Sequence, residues 1–261
     1  MYSLGIDIGS VATKSVVYNG AIAASVIIPT GWSPRESSRL ALQMALEQCG
    51  ASRDSLRAIV ATGYGRVSAD FADRAITEIT CHARGAHSLN HEIRTVIDIG
   101  GQDSKVIQLD EDGHVADFIM NDKCAAGTGR FLEVMARILG TEVAEFDALA
   151  SHADPAPISS MCTVFAESEV ISLLARGVPR EAIARGVLDS IASRAVALLG
   201  RLGTRGAIAF TGGLSHSRVL RAIMEEHIGE PLFTSPASQL AGALGGALIG
   251  WNRNGSALGD N

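Results

Sequence analysis

The sequence predicts an α/β protein built from two similar lobes that flank a cleft. Three features favour this fold class: a repeated strand and glycine turn, a hairpin after each copy of that motif, and helical periodicity in the intervals. The chain has 261 residues, of which 47% are hydrophobic. It can therefore fill the cores of two lobes of about 100–150 residues each.

The repeated motif opens each half of the chain. Ile6–Ser10 reads IDIGS, and Ile97–Gly101, 91 positions later, reads IDIGG. The same shift brings Lys14 onto Lys105. Two unrelated buried strands can share isoleucines, but that coincidence does not keep Asp, Gly and Lys in step. We interpret the two segments as an internal duplication.

Each copy of the motif continues into a β-meander. Asn19-Gly20 and Asp112-Gly113 are typical turns of β-hairpins. The predicted strands are Leu4–Ile8, Ser15–Tyr18, Ala21–Ile28, Thr95–Ile99, Lys105–Leu109, Val115–Met120 and Ala207–Thr211. The predicted helices are Arg35–Cys49, Asp73–Leu89, Gly129–Leu139, Phe165–Arg176, Arg180–Arg201, Ser217–His227 and Gln239–Trp251. We expect lobe I at 1–93, lobe II at 94–238, and a C-terminal segment, 239–261, that returns to lobe I.

The charge and the length of the apolar runs disfavour several classes of partner. The net charge of −6 disfavours binding to nucleic acid or to an anionic membrane surface, because both need a basic face. The longest apolar run, Ala241–Trp251, is shorter than the roughly 20 residues of a membrane-spanning helix. Met1 is followed almost directly by a strand rather than by a basic signal segment. We therefore expect a soluble cytoplasmic protein without nucleic-acid or membrane partners.

Each repeated strand ends in Asp-Ile followed by glycine, a sequence suited to phosphate binding. Glycine lets consecutive backbone N–H groups face phosphate oxygens, and a lysine nearby can neutralise phosphate charge. Asp7 and Asp98 suit a hydrated Mg²⁺, which takes few carboxylates and keeps several waters. Gln102 can orient an attacking water, with a solvated turn residue as the alternative. The candidate nucleotide contacts are Gly9, Ser10, Val11, Ala12, Thr13, Lys14, Gly100, Gly101, Gly212 and Gly213.

The four cysteines contain no CxxC pair and lack the density of a disulfide scaffold. Cys124 and Cys162 each precede a predicted helix, whose positive end lowers a thiol pKa and favours the thiolate that binds iron. From the residues alone, metal binding and simple packing both remain open for these two. Cys49, which comes directly before a helix-terminating glycine, and Cys81 are interpreted as packed thiols.

The histidines indicate no further catalytic or metal site. None of the seven shows HxxH or HExxH spacing, and Ser/His/Asp chemistry has no G-x-S-x-G support. His82, His87 and His91 recur at spacings of five and four residues. We interpret them as an exposed polar face of a helix rather than as metal ligands.

The three glycine turns together resemble the nucleotide site of the actin, sugar-kinase and Hsp70 superfamily, in which two ribonuclease-H-like lobes clamp ATP. Asp7–Lys14 is similar to the first phosphate motif, Asp98–Gln102 to the second, and Phe210–Leu214 to the adenosine motif. The resemblance implies an actin-like ATPase fold with ATP or ADP and Mg²⁺ in the interlobe cleft. It also implies catalytic roles for the two aspartates and for Gln102.

Four segments resemble, within this superfamily, the ATPase activators of 2-hydroxyacyl-CoA dehydratases and the ATP-hydrolysing subunits of benzoyl-CoA reductase. These segments are 121–131, 158–171, Ala61–Arg66 and Cys81–Ala83. In such activators, two cysteines from each subunit hold one 4Fe–4S cluster on the two-fold axis of a homodimer. The resemblance implies this role for Cys124 and Cys162, together with oxygen sensitivity. It also implies a nucleotide contact for Gln239, whereas Ser217 stands where the family has Asn.

The implied function is ATP-driven electron transfer. A reduced ferredoxin or flavodoxin would supply one electron to the cluster, and ATP would drive its transfer to a 2-hydroxyacyl-CoA dehydratase. Three alternatives remain: service to a benzoyl-CoA-type or uncharacterised cluster reductase, a sugar kinase of the same fold, or a non-enzymatic scaffold switched by ATP. The kinase needs a carboxylate base aimed at a hydroxyl, and the sequence offers none in a recognisable setting.

Overall fold

A computed structural model describes residues 1–159 and 163–252 of the chain. These residues form two compact units. Unit 1 comprises 1–92, 109–115 and the described residues from 240 onward, and unit 2 comprises 93–108 and the described part of 116–239. No helix in these ranges is long and apolar enough to cross a membrane.

Ten strands and eight helices are present in the described residues. The strands are β1 (Tyr2–Ile8), β2 (Ala12–Tyr18), β3 (Ile22–Pro29), β4 (Leu56–Thr62), β5 (Arg74–Ala75), β6 (Ile93–Ile99), β7 (Ser104–Leu109), β8 (Val115–Asn121), β9 (Ala207–Gly212) and β10 (Leu232–Phe233). The helices are α1 (Pro34–Cys49), α2 (Glu78–Leu89), α3 (Gly129–Ile138), α4 (Phe146–Ala150), α5 (Thr163–Ala175), α6 (Arg180–Leu202), α7 (Arg218–Ile228) and α8 (Ala241–Trp251).

The sheet of unit 1 has the strand order β3-β2-β1-β4-β5. Its central strand, β1, is antiparallel to β2 and parallel to β4. Apolar side chains of β1 pack with those of α1 in one core cluster, and Val16 of β2 packs with Leu244 of α8 in another. Because helices cover the sheet in this way, the central strand is buried at every position after Tyr2.

Glycines allow α8 to pack against its neighbours at backbone distance. A Cβ at Gly5 would lie 1.8 Å from the carbonyl oxygen of Ala243. A Cβ at Gly245 would lie 1.8 Å from the carbonyl oxygen of Cys81. No side chain fits so close to a backbone, so these positions require glycine. The small residues of α8 therefore bring it against β1 and α2.

The sheet of unit 2 has the order β10-β9-β6-β7-β8, which repeats the arrangement of unit 1. Its central strand, β6, is antiparallel to β7 and parallel to β9. Phe131 of α3, Phe146 of α4 and Phe210 of β9 are fully buried in its core. The duplication therefore includes the parallel fourth strand of each sheet, beyond the repeated meanders that the sequence indicates.

Local capping signals set the helix ends. Ser33 caps α1 by accepting a hydrogen bond from Glu36 N (3.3 Å), and Gly50, with φ 64°, ends that helix. Ser217 caps α7 by accepting a hydrogen bond from Leu220 N at 3.0 Å. Every predicted helix except Asp73–Leu89 agrees with the structure to within two residues at each end.

The sequence does not predict strands β4, β5 and β10 or helix α4, and it places the start of α2 too early. The helix predicted from Asp73 begins at Glu78, because Arg74–Ala75 pairs with β4 and Thr77 then caps α2. The strand errors share a cause: β1, β4 and β5 pair in parallel, and parallel partners are separated by long connections that short-range turn signals do not reveal.

Candidate functional site

The first glycine turn connects β1 to β2. Gly9 N donates to the Ala12 carbonyl at 3.1 Å, and a Cβ at Gly9 would lie 2.9 Å from the same oxygen. The Thr30 hydroxyl donates to Gly9 O at 2.7 Å and lies 2.9 Å from the Thr13 hydroxyl. Residues 9–12 are partly exposed, whereas Thr13 is buried behind them. The turn therefore presents its backbone at the surface of unit 1 on a fixed support.

Asp7 is the second-to-last residue of β1, close to this turn. It is 4% exposed, and its Oδ2 accepts a hydrogen bond from Lys14 Nζ on β2 at 3.2 Å. On the parallel strand β4, Thr62 lies opposite Asp7, but its hydroxyl makes no hydrogen bond with any described residue. Gly63 follows with φ 85°, and a Cβ there would lie 2.4 Å from Asp7 Oδ1. Glycine at this position keeps space open beside that oxygen.

Asp98 occupies the equivalent place at the end of β6. Its Oδ2 accepts a hydrogen bond from Lys105 Nζ (3.3 Å), and its Oδ1 accepts one from the Thr211 hydroxyl (2.8 Å). Lys105 Nζ also lies 2.9 Å from a carboxylate oxygen of Asp103. Asp98 and Lys105 are 2% and 3% exposed. Both carboxylate oxygens of Asp98 are thus engaged, and its lysine is shared with a second carboxylate.

The second glycine turn connects β6 to β7 and contacts the start of α3. Gly100 N donates to the Asp103 carbonyl at 2.9 Å, which closes the turn. Its own carbonyl accepts a hydrogen bond from Gly129 N (2.9 Å), and the Gly101 carbonyl accepts one from Arg130 N (2.8 Å). The first-turn N–H groups of α3 are therefore directed at this turn. Gln102 is exposed beside them.

The third glycine turn follows β9. Gly212 has φ 89°, and a Cβ there would lie 2.3 Å from the Ile99 carbonyl oxygen. A Cβ at Gly213 would meet no atom within 4 Å. The Ser215 hydroxyl donates to Gly212 O at 2.8 Å and holds the turn. The backbone here is free of obstructing side chains, as a nucleoside lying against it would need.

A cavity of about 330 Å³ lies beside the third turn. It is lined by Ser215, His216, Ser217, Arg218, Arg221, Thr234, Ser235 and Pro236. The predicted contact Gln239 joins this rim through a 2.7 Å hydrogen bond between its Oε1 and His216 Nε2. Ser217, the departure from the family's Asn, caps α7 and donates to Asp147. Sequence reasoning missed the cavity arginines because no motif links them to the glycine turn.

Cys124 lies in the loop between β8 and α3. It is half-buried, and its carbonyl accepts a hydrogen bond from Asn121 Nδ2 at 3.4 Å. Gly127, with φ 88°, turns the chain toward α3, and a Cβ there would lie 2.8 Å from Cδ of Arg194 on α6. Cys162, the second predicted cluster ligand, lies outside the described residues. Within those residues, no group of three or more His, Cys, Asp or Glu side chains could hold a metal ion.

Cys81 and His82 of α2 are both buried. Burial raises the pKa of the Cys81 thiol to about 12. Cys49 donates to carbonyls of its own helix, so both thiols are packed, as predicted. The prediction of an exposed histidine face is wrong for His82, which is 4% exposed, and holds for His91.

Residues 4–250 match the BadF/BadG/BcrA/BcrD ATPase family. The chain belongs to this family. Among its relatives is the activator of lactoyl-CoA dehydratase from Anaerotignum propionicum, to which it is 48% identical over 257 residues. That alignment covers 96% of this chain and 98% of the relative. The membership confirms the resemblance that the sequence segments indicate.

Solved structures of BadF/BadG/BcrA/BcrD-type activators match the whole fold. Component A of (R)-2-hydroxyglutaryl-CoA dehydratase from Acidaminococcus fermentans has a TM-score of 0.93 at 41% identity, covering 97% of this chain and 98% of that one. The activator of 2-hydroxyisocaproyl-CoA dehydratase from Clostridium difficile, solved with bound ADPNP, has a TM-score of 0.92 at 41% identity, covering 97% and 95%. The predicted actin-like ATPase fold is confirmed.

The residues present fit the two inorganic groups that this ATPase family implies. Mg²⁺ prefers carboxylate oxygens and water. Gly63 keeps space open beside Asp7 Oδ1, while Asp7 Oδ2 accepts the hydrogen bond from Lys14. A four-iron cluster takes four thiolates. Cys124 supplies a half-exposed thiol in a glycine turn, and Cys162 of the same chain would supply a second. Two such chains would be needed to complete the set.

Proposed function

We propose that this protein is an ATP-dependent reductive activator. It hydrolyses ATP and transfers one low-potential electron from a 4Fe–4S cluster, shared across a homodimer, to a 2-hydroxyacyl-CoA dehydratase. Support comes from relatives named as activators of lactoyl-CoA, 2-hydroxyisocaproyl-CoA and (R)-2-hydroxyglutaryl-CoA dehydratases, each of which aligns with nearly its whole length.

One observation carries the proposal: the second glycine turn and the start of α3 are joined by backbone hydrogen bonds. Gly129 N and Arg130 N donate to the carbonyls of Gly100 and Gly101. The cysteine loop that ends in α3 is therefore fastened to the turn proposed to contact phosphate. A change in that turn on ATP binding or hydrolysis would displace Cys124 with α3, since helices move as rigid elements.

Each unit has its own glycine turn suited to contact phosphate. The backbone N–H groups of residues 10–12 and of Gly101 would donate to phosphate oxygens, and Lys14 would compensate their charge. Asp7 and Asp98 would hold the Mg²⁺ through its waters, which neutralises the charge that develops during phosphoryl transfer. Gln102, exposed at the second turn, orients the attacking water. The cavity beside Gly212 receives the nucleoside.

Cys124 and Cys162 from two chains would hold the 4Fe–4S cluster, which supplies one-electron transfer when bound. The partial exposure of Cys124 suits a site that must be reached by a reduced ferredoxin or flavodoxin and by the dehydratase. The protein residues contribute position: the Gly127 turn sets the loop, and Asn121 fixes the carbonyl of Cys124. An exposed cluster of this kind is open to oxygen, so the protein is expected to be oxygen-sensitive.

The cluster assignment is tested by anaerobic purification followed by iron analysis, size-exclusion chromatography and EPR after dithionite reduction. We expect about four irons per dimer and a reduced-cluster signal. Cys124→Ser should lose both, whereas Cys49→Ser, which changes a thiol packed in α1, should keep both. A Cys124→Ser protein with unchanged iron content and EPR signal would contradict the assignment.

The coupling is tested at Gly129, the first residue of α3. Gly129→Pro suits the helix start but removes the N–H that donates to Gly100 O. Gly129→Ala is the matched control, because its Cβ would lie at an ordinary 3.4 Å from the same oxygen and the N–H remains. We expect the proline variant to keep its iron but lose ATP-dependent electron transfer to a 2-hydroxyacyl-CoA dehydratase. If Gly129→Pro transferred electrons as fast as the unchanged protein, the hydrogen bond between Gly129 and Gly100 would not be needed for coupling.

A further inference from the structure

Two of the segments that carry the family resemblance are not among the predicted nucleotide or cluster contacts. They are Ala61–Arg66 and Cys81–Ala83, which are separated in the sequence. In unit 1 both approach Asp7: Thr62 lies opposite Asp7 on the neighbouring strand, and Gly63 borders Asp7 Oδ1. The second segment belongs to α2 and brings His82 to the other side of the same carboxylate.

Gly242, in the first turn of α8, lies beside both His82 and Asp7. A Cβ placed on Gly242 would lie 2.8 Å from His82 Nε2 and 3.0 Å from Asp7 Oδ2. The imidazole nitrogen and the carboxylate oxygen therefore face one point beside a glycine backbone. The same Oδ2 accepts the hydrogen bond from Lys14. His82 is 4% exposed, so its ring is held in place by packing.

Among the described residues, Asp98 in unit 2 has a hydrogen-bond donor that Asp7 in unit 1 does not have. The Thr211 hydroxyl donates to Asp98 Oδ1 at 2.8 Å, which gives that carboxylate a neutral donor in addition to its lysine. Thr62 has the same register relative to Asp7, yet its hydroxyl makes no hydrogen bond with any described residue. A buried carboxylate with a single ammonium partner is incompletely satisfied. The imidazole is the polar group that approaches it from the remaining side.

We propose that His82 is a positioning residue for Asp7 in nucleotide-dependent metal binding, an inference that rests on the proposed function. Its imidazole faces Asp7 Oδ2 and holds the orientation of the carboxylate, directly or through a water between the two groups. Outer partners of this kind fix the groups that bind a metal and its waters, and their loss lowers metal affinity by about 10- to 100-fold. Gly242 is required because any side chain there would displace the ring.

The test measures ADP affinity by titration calorimetry with the full chain, once without Mg²⁺ and once with saturating Mg²⁺. The gain in affinity on adding Mg²⁺ is the readout. His82→Phe should reduce that gain by about tenfold or more while leaving Mg²⁺-free ADP affinity unchanged. His82→Gln, which can return an amide nitrogen near the Nε2 position, should restore most of it.

Glycine variants make the same test without removing the histidine. Gly242→Ala should behave like His82→Phe, because its Cβ would displace the imidazole. Gly250→Ala, in the same helix, is the control: its Cβ would lie 3.3 Å from Ala58 Cβ, away from Asp7, and the Mg²⁺-dependent gain should match that of the unchanged protein. Because the Cβ of Gly242→Ala would also lie 3.0 Å from Asp7 Oδ2, a loss in that variant counts only together with a loss in a His82 variant. If His82→Phe folds poorly, His82→Leu, which also lacks a polar nitrogen, replaces it.

Three outcomes would overturn the inference. A wild-type Mg²⁺-dependent gain in both His82→Phe and Gly242→Ala would show that His82 does not position the site. An equal loss of ADP affinity with and without Mg²⁺ would show a purely structural role. If the unchanged protein bound ADP without any response to Mg²⁺, the proposed nucleotide function itself would fail, and the inference would fall with it.

Discussion

Unit 1 and unit 2 share one backbone arrangement around an aspartate, here called the frame, but the side chains that contact the aspartate differ. In each unit the aspartate is the second-to-last residue of the central strand. A lysine lies opposite it on the antiparallel neighbour, and a threonine lies opposite it on the parallel neighbour. A glycine follows that threonine, with φ 85° at Gly63 and 89° at Gly212. The frame is backbone geometry, and the duplication preserves it.

The polar contacts inside the frame differ. Asp98 uses both carboxylate oxygens, and its lysine is shared with Asp103. Among the residues that the structure describes, Asp7 accepts a hydrogen bond from Lys14, and it lies near a buried imidazole instead of bonding to a threonine hydroxyl. The comparison shows that strand register fixes where the two carboxylates lie. The neighbouring side chains determine how many hydrogen bonds each carboxylate can still accept from a ligand.

The largest expected difference between the units comes from removing each carboxylate charge. Asp7→Asn leaves Lys14 buried without its acidic partner, which should lower the free energy of unfolding by about 3–5 kcal/mol. Asp98→Asn should cost less, roughly 2 kcal/mol, because Lys105 keeps Asp103 at 2.9 Å. Urea unfolding followed by circular dichroism measures both. A larger loss for Asp98→Asn would show that the number of bonds, rather than the stranded charge, controls stability.

The two glycines after the threonines should respond alike. Gly63→Ala would place a Cβ 2.4 Å from Asp7 Oδ1, and Gly212→Ala would place one 2.3 Å from the Ile99 carbonyl oxygen. Both also have positive φ, so each variant should lose roughly 3 kcal/mol of stability from strain and overpacking together. Gly213→Ala is the control, because its Cβ would meet nothing within 4 Å. If thermal unfolding showed a loss of stability in only one of the first two variants, the two glycines would not be structurally equivalent.

The sequence predicts the aspartate and the lysine of this arrangement but not the threonine and the glycine, because the two pairs of segments repeat at different shifts. The first shared segment repeats at a shift of 91 residues, but Thr62-Gly63 and Thr211-Gly212 are 149 residues apart. A search for one constant shift therefore finds the meanders and misses the parallel fourth strands. Those strands also lack a tight turn to their partner, so hairpin signals do not identify β4.

The candidate site divides in the same way. Asp7, Lys14 and the glycine turns are predictable because they follow one another within a short motif. His82 is not, because its burial depends on Gly242, which lies far along the chain and lets α8 approach α2 closely. Helical spacing alone cannot tell which side of α2 a distant helix will cover. The backbone bonds between α3 and the second turn are equally invisible to motif spacing.

The two threonines provide a smaller and sharper test of the comparison. Thr211→Val removes a hydroxyl that donates to a buried carboxylate, so the free energy of unfolding should fall by about 1.5–3 kcal/mol. Thr62→Val removes a hydroxyl without a hydrogen-bond partner among the described residues and should be neutral or slightly stabilising, because burying an unsatisfied polar group is itself costly. Parallel urea titrations decide between them. Equal losses would indicate that Thr62 bonds to Asp7 in solution.

The smallest expected difference concerns the thiol beneath Asp7. Burial raises the pKa of Cys81 from 9.0 to about 12, so the folded protein keeps this proton at a pH where the unfolded chain loses it. The contribution of the Cys81 thiol to the free energy of unfolding is constant below about pH 9. It then falls by about 1.4 kcal/mol per pH unit up to about pH 12. Urea midpoints of the unchanged protein and Cys81→Ala, compared at pH 8.5 and 10, isolate this slope from that of other titrating groups. Cys49→Ala should retain the slope, and a Cys81→Ala protein with the same slope would mean that the buried thiol plays no part in it.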